Sequence, residues 1–283
     1  MNYRHAFHAG NHADVLKHAV LARIAAYLAV KGRPFAALDA HAGIGAYDLQ
    51  GSEATKTGEW QGGIGLMAEP FVAGVEAVLA PYRQAVAALN AGSGLRFYPG
   101  SPEILLQAMR DGDRLVANEL HPEDAATLRQ SYKGDARLDV IEMDAQVAVK
   151  SQLPFREKRG LVLIDPPYEL KDETDKVVRM LVQGRKRFAS GIFVIWYPVT
   201  TDDFVSQFLS AIMETGIGNI LKAELRVKRS HEASGLSGSG LLILNPPFVL
   251  EDELSLLLPA LAQRLGVEGL GRCDLSWLTA KKD

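Results

Sequence analysis

Residues 160–168 read GLVLIDPPY, and residues 240–248 repeat the pattern as GLLILNPPF. Each is a short apolar run, opened by Gly and closed by an acid or amide followed by two prolines. Such a run fits a central parallel strand, which needs apolar side chains on both faces because helices cover both. Proline stops the run because it has no N–H to offer a neighbouring strand. Both segments are therefore expected to end at one rim of an α/β sheet, the rim where ligands bind in this class.

Outward from these runs the same rhythm recurs. FAALD (35–39), RLVANEL (114–120), RLDVIEMDA (137–145) and GIFVIWYPV (191–199) read as strands, and RFYPGSP (96–102) as a short strand or edge. Helical spacing predicts helices over 13–31, 102–110, 122–132, 174–188 and 202–215, the first capped by Asn11 or Asp14 and ended by Gly32. ILKAELRVK (220–228) and LLILN (241–245) read as a hairpin at the sheet edge, joined by a mobile Ser/Gly-rich link. Residues 46–95 break the rhythm with a Gly-rich stretch and a helical segment joined at Pro81, and read as a helical insertion. The expected fold is one α/β domain over residues 1–283, a doubly wound sheet of six or seven strands with a helical subdomain inserted at 46–95.

Composition narrows the function. With 283 residues and 47% hydrophobic content the chain can bury a large core. Its formal net charge of −3 gives no bulk signature of nucleic-acid binding, so any such contact must come from local patches. The single cysteine, Cys273, excludes an internal disulfide and leaves no Cys cluster for zinc or iron–sulfur; it reads as an inert small hydrophobe. The opening MNYRHAFHAGNHAD has no apolar signal core, and no stretch approaches a membrane span. A reducing, cytoplasmic setting is expected.

Gly43 and Gly45 follow the strand FAALD directly, the context in which a backbone approaches a ligand closely. Three residues after Gly45, where a dinucleotide fingerprint has Gly, stands Asp48, and a carboxylate there would repel a pyrophosphate. A ligand without phosphates fits better, and S-adenosylmethionine is one. Four strands end in acids: Asp39, Glu119, Asp144 and Asp165. A carboxylate at Glu119 suits two ribose hydroxyls, and one at Asp144 suits the amino group of adenine. Lys17 and His18, on the first helix, are expected to reach the same cofactor.

The DPPY step has its own chemistry. The exocyclic nitrogen of adenine is a poor nucleophile because its lone pair is delocalised into the ring. Acceptors on Asp165 and the Pro166 carbonyl can bind its two hydrogens, localise the pair and aim it at an electrophilic methyl. Tyr168 can stack on a base extruded from its helix. The NPPF copy offers Asn245 and Phe248 for the same tasks, but it comes last in the chain, so Asn245 is read as structural. His5, His8 and His12 have helical spacing for a metal, yet no Cys accompanies them, and no metal is expected.

Taken together, YRHAFHAGNHADVLKH (3–18), LDAHAGIGAY (38–47), YPGSP (98–102), ELHP (119–122) and GLVLIDPPYEL (160–170) resemble the RlmJ family, bacterial 23S ribosomal RNA adenine-N6 methyltransferases. The likeness spans nearly the whole chain in the same order. It implies a Rossmann-like, mostly parallel seven-stranded methyltransferase domain with a small helical insertion. It further implies S-adenosylmethionine contacts at His18, His41, Ser101, Glu119, Asp144, Ala145 and Asp165, with Asp165 also the catalytic acceptor and Tyr3 touching the RNA. Ala145 stands where the family often has Gly. The expected partner is 23S RNA free of ribosomal proteins, bound by a monomer. Basic clusters at Arg156, Lys158 and Arg159, at Arg185, Lys186 and Arg187, and at Arg226, Lys228 and Arg229 are candidates to meet it. The same motif on DNA or on a glutamine amide, and an RNA-binding protein that only retains the pocket, are the alternatives.

Overall fold

Asn11 opens the first helix, α1 (His12–Val30), its side-chain oxygen accepting from the backbone N–H of Ala13 and Asp14. The chain then forms β1 (Ala36–Asp39), β2 (Ala46–Asp48), α2 (Ser52–Thr57), α3 (Ala73–Leu89), β3 (Phe97–Pro99) and α4 (Ser101–Ala108). Next come β4 (Arg114–Asn118), α5 (Pro122–Ser131), β5 (Leu138–Ile141), α6 (Ala145–Gln152), β6 (Gly160–Ile164), α7 (Glu173–Arg187), β7 (Ile192–Val199) and α8 (Asp202–Glu214). The end of the chain supplies β8 (Ile220–Arg226), β9 (Gly238–Leu244), α9 (Leu250–Leu265) and β10 (Arg272–Thr279). This is a computed structural model, and it describes residues 4–92, 94–170, 172–229 and 236–281.

The main sheet has eight strands in the order β10-β8-β9-β7-β6-β1-β4-β5. The five from β7 to β5 are parallel, and β9, β8 and β10 add antiparallel pairings at one edge. As expected, β6 lies beside β1, with β4 on the other side of β1. Helices cover both faces, as the all-buried pattern of β1 and β6 requires. One face packs against Leu16, Val20 and Ile24 of α1, Leu79 and Tyr82 of α3, and Leu254 and Leu261 of α9. The other packs against Val149 of α6, Val177 and Leu181 of α7, and Phe208 and Ile212 of α8. The segment 46–95 joins the first of these cores through α3, and its β2 pairs antiparallel with β3.

Several expectations are corrected. GLLILNPPF does not end at the rim of GLVLIDPPY. β9 runs antiparallel to β7, pairing Leu244 with Phe193, whereas Ile164 at the end of β6 pairs with Ile195. Asn245 and Asp165 therefore sit at opposite rims. The 220–245 hairpin is not the edge either, because β9 lies inside the sheet and β10 covers β8. The eighth strand, β10, carries the period-2 alternation Cys273, Leu275, Trp277; Leu275 and Trp277 pack onto the core while Cys273 is exposed. β9 begins at Gly238, within the Ser/Gly-rich stretch, and residue 240 is glycine because the ring of Tyr197 occupies the space where a side chain would stand. The link expected to be mobile spans residues 229–240; its end, from Gly238, is strand, and residues 230–235 lie outside the described residues. α3 runs unbroken through Pro81. Finally, β5 ends at Ile141, and Asp144 caps α6, a helix the sequence pattern did not reveal.

Candidate active site

The carboxyl rim of the parallel strands opens into a cleft of about 940 Å³. It is lined by Lys17, His18, His41, Gly43, Ser101, Glu119, Asp144, Ala145, Asp165, Pro166 and Tyr168, so residues drawn from six separate stretches of sequence meet in one place. Tyr3 lies outside the described residues.

The turn after β1 forms the floor. Gly43 adopts φ +63°, and a Cβ there would stand 2.2 Å from the hydroxyl of Tyr47, so glycine is required on two counts. Its N–H donates to Oε2 of Glu119 at 2.8 Å, while the N–H of His121 donates to Oε1 at 2.8 Å. Burial raises the Glu119 pKa against these bonds. Asn118 ties the neighbouring loops together: its amide donates to the carbonyls of Ala40 and Met143, and its oxygen accepts from the N–H of Met143. Asp144 accepts from the N–H groups of Gln146 and Val147 through one oxygen, Oδ1.

Asp39 was expected at the rim with the other acids. It is instead fully buried behind the cleft. One of its oxygens accepts from the N–H of His41 at 3.2 Å, and Ser101 bonds the same carboxylate. Burial pushes its pKa up to about 6, and Oδ2 has no hydrogen-bond partner among the described residues. Nε2 of His18 is likewise buried without a hydrogen-bond partner among the described residues, while Nδ1 of the same ring lies 3.0 Å from the Tyr98 hydroxyl.

The DPPY step is held from three sides. The N–H of Asp165 donates to Nδ1 of His41 at 3.2 Å, and burial lowers the His41 pKa to about 4, so the ring stays a neutral acceptor. Nζ of Lys17 lies 2.5 Å from Oδ2 of Asp165 and 2.9 Å from Oδ1 of Asp14. Burial opposes the Lys17 ammonium, but the charges of the two carboxylates outweigh it and raise the pKa. Tyr168 has φ +50°, a strained value for a residue with a side chain. It is held there by its hydroxyl, which donates to the carbonyl of Trp196 at 2.9 Å, and by edge contacts with Trp196, Phe204 and Phe208.

Asp14 is the member that the sequence pattern did not single out as part of the site. It stands three residues before Lys17 and four before His18, so all three share one face of α1. That spacing was the available signal. His5 contacts Asp14 and His8 contacts Glu59. His12 is half-buried, and desolvation lowers its pKa to about 4. Among the described residues, no group of three or more His, Cys, Asp or Glu is arranged to hold a metal ion. Asn245 makes no contribution here, because its amide donates to the carbonyls of Ala189 and Gly191 and its oxygen accepts from Asn219.

The donor set fits S-adenosylmethionine. Carboxylates greatly outnumber lysines and arginines around the cleft, which suits a ligand with an ammonium, a sulfonium and hydroxyl donors and no phosphate. Nε2 of His18, without a hydrogen-bond partner among the described residues, and the close backbone approach at Gly43 both line the cleft and are features a bound polar ligand would use. Fold and cleft together define an α/β, S-adenosylmethionine-dependent methyltransferase. A family model described as "Ribosomal RNA large subunit methyltransferase D, RlmJ" matches residues 32–279. The Haemophilus influenzae protein named Ribosomal RNA large subunit methyltransferase J is 42% identical over 280 residues, 99% of each chain. Its Escherichia coli namesake is 41% identical over 278 residues, 98% of this chain and 99% of the other. A crystal structure of a Legionella pneumophila protein superposes with a TM-score of 0.86 at 31% identity, covering 95% of this chain and 98% of that one. The chain belongs to the RlmJ family of ribosomal RNA large subunit methyltransferases.

Proposed function

We propose that this enzyme methylates the exocyclic N6 of an adenine in 23S ribosomal RNA, acting in the cytoplasm as a monomer on RNA free of ribosomal proteins. The observation that carries the reading is the Asp165 carboxylate, fixed by Lys17 through one oxygen beside Pro166 and Tyr168. When bound, S-adenosylmethionine supplies a methyl group on a cationic sulfur and leaves as the neutral thioether. Glu119 and Asp144 would hold its ribose and adenine, with Ala145, Gly43, Ser101, His18 and His41 completing the contacts.

The chain's own part is to make a weak nucleophile attack. Oδ1 of Asp165 and the Pro166 carbonyl accept the two amino hydrogens of the target adenine, which localises the nitrogen lone pair. The lone pair forms the new N–C bond as the electrons of the old C–S bond return to sulfur. One amino proton then leaves to water through Asp165. Tyr168, rigidly seated, offers a stacking surface worth on the order of 1–3 kcal/mol to a flipped base, comparable with the cost of flipping it. Tyr3 is expected on the RNA.

We read residues 46–95 as an insertion in a single methyltransferase domain. What supports this is that β1 is followed in the sheet by β4, while the intervening α3 adds to the packing around α1 and α9. Labelled methyl donor offered with protein-free 23S RNA, DNA and ribosomal proteins in parallel tests the substrate. Label in RNA that falls steeply with rising salt is expected. Label in DNA or in protein glutamine alone, or in none, would reject the reading.

A further inference from the structure

Asp14 occupies the first turn of α1 with a side chain that is 1% exposed. Its Oδ2 accepts from the N–H of Gly10 at 2.9 Å and contacts Nε2 of His5 at 2.9 Å, a pairing that assigns the ring proton to Nε2. Its Oδ1 lies 2.9 Å from Nζ of Lys17 and 4.0 Å from Nε2 of His18. Lys17 in turn meets Asp165. The site thus buries two carboxylates around one ammonium.

We propose that Asp14 is a positioning residue for methyl transfer: acting through Lys17, it sets the charge that Asp165 presents to the reacting amino group. The inference rests on Asp165 being the acceptor proposed above. With Asp14 the triad carries one net negative charge; without it the Lys17–Asp165 pair is neutral. Positive charge moves from the sulfonium to the target nitrogen as the methyl transfers, and that nitrogen is the one held on Asp165, so a net negative triad stabilises the transition state more than the ground state. A neutral pair does so far less.

Stability alone gives little reason for this arrangement. Desolvation of buried ions commonly matches or exceeds their attraction, and apolar replacements are often as stable. The groups that face Asp14 are His5, Gly10, Lys17 and His18. Desolvation acts to raise the Asp14 pKa, and the contacts with His5, Lys17 and His18 overcome it, holding the acid well below its usual range and ionised. Burial holds His18 in its neutral form. The same contacts pin the segment from His5 to Gly10 against α1, so one carboxylate both orders the arm and orients the lysine.

The test is Asp14→Asn, nearly isosteric but uncharged. At saturating donor, kcat is expected to fall roughly ten- to a hundredfold while KM for RNA stays within about twofold. Calorimetry supplies a readout independent of turnover. The variant should weaken S-adenosylmethionine severalfold more than S-adenosylhomocysteine, because only the former is a sulfonium cation. Asp14→Glu keeps the charge and should keep that preference even if its melting temperature drops. A folded Asn variant with wild-type kcat, equal weakening of both ligands, or a folded Glu variant without the preference would each overturn the proposal. Wild-type protein that fails to methylate RNA in the same assay would instead reject the underlying reading of Asp165.

Discussion

Nζ of Lys17 lies 2.5 Å from Oδ2 of Asp165, joining the first helix to the end of β6 across 148 residues of sequence. The bond leaves Oδ1 as the oxygen available to a substrate and fixes the direction in which it points. Lys17→Met would leave Asp14 buried beside Asp165 without a shared cation. Breaking a buried pair in this way costs about 3–5 kcal/mol. Urea denaturation should register a loss of that order, and transfer should fall with it; unchanged stability would mean the two carboxylates find other partners.

Asn245→Ala separates the two diproline steps. Asn245 holds Ala189, Gly191 and Asn219 together and adopts φ +51° at the rim opposite the cleft. The variant is expected to lose about 1–3 kcal/mol of stability, the cost of leaving partly buried partners unsatisfied. Its transfer rate per folded molecule should stay within about twofold of wild type. Loss of activity with stability intact would restore Asn245 as a candidate acceptor.

Much of this was legible in the sequence, and the misses have physical causes. Apolar runs and their closing acids located β1, β4 and β6, because burial on both faces leaves an unmistakable pattern. Direction leaves none: GLLILNPPF is as buried as GLVLIDPPY, but a hairpin partner of β8 must run opposite to it, so its end falls at the other rim. Asp14 was hidden by its type, since an acid near a helix start reads as a cap. Asn11 takes that task, which frees Asp14 for Lys17.

Buried histidines make the fold sensitive to acid. Burial lowers His12 and His41 to about 4 from an unfolded value of 6.5. For a base with a depressed folded pKa, the stability is present above 6.5 and is lost as pH falls through 4. Asp39, raised to about 6 by burial, works the other way and offsets part of the loss. His18, held neutral by burial, adds to the loss, so the protein should be at least about 2 kcal/mol less stable at pH 5 than at pH 7 in urea titrations, and His12→Gln should shrink that difference. A flat profile would contradict the buried, neutral state of these rings.

The basic clusters are not equivalent. Lys228 follows β8, whose last residue, Arg226, pairs with Gly238 near the Asp165 rim, and its charge acts on His12. Arg185, Lys186 and Arg187 close α7, which leads into the start of β7 at the far rim, and Arg156, Lys158 and Arg159 precede β6 there. Lys228→Glu should lower kcat/KM for RNA about tenfold and flatten its salt dependence, whereas Lys186→Glu should change either by less than about twofold. Equal effects would mean the RNA reaches both rims.

The most direct measurement is methyl transfer to protein-free 23S RNA, followed by digestion to nucleosides and identification of the labelled product, with wild type and Asp165→Ala side by side. The account predicts N6-methyladenosine from wild type. It predicts at least about a thousandfold less from a folded Asp165→Ala variant, the scale of losing an acceptor that acts in the transition state. A different methylated nucleoside, or substantial activity in Asp165→Ala, would contradict it.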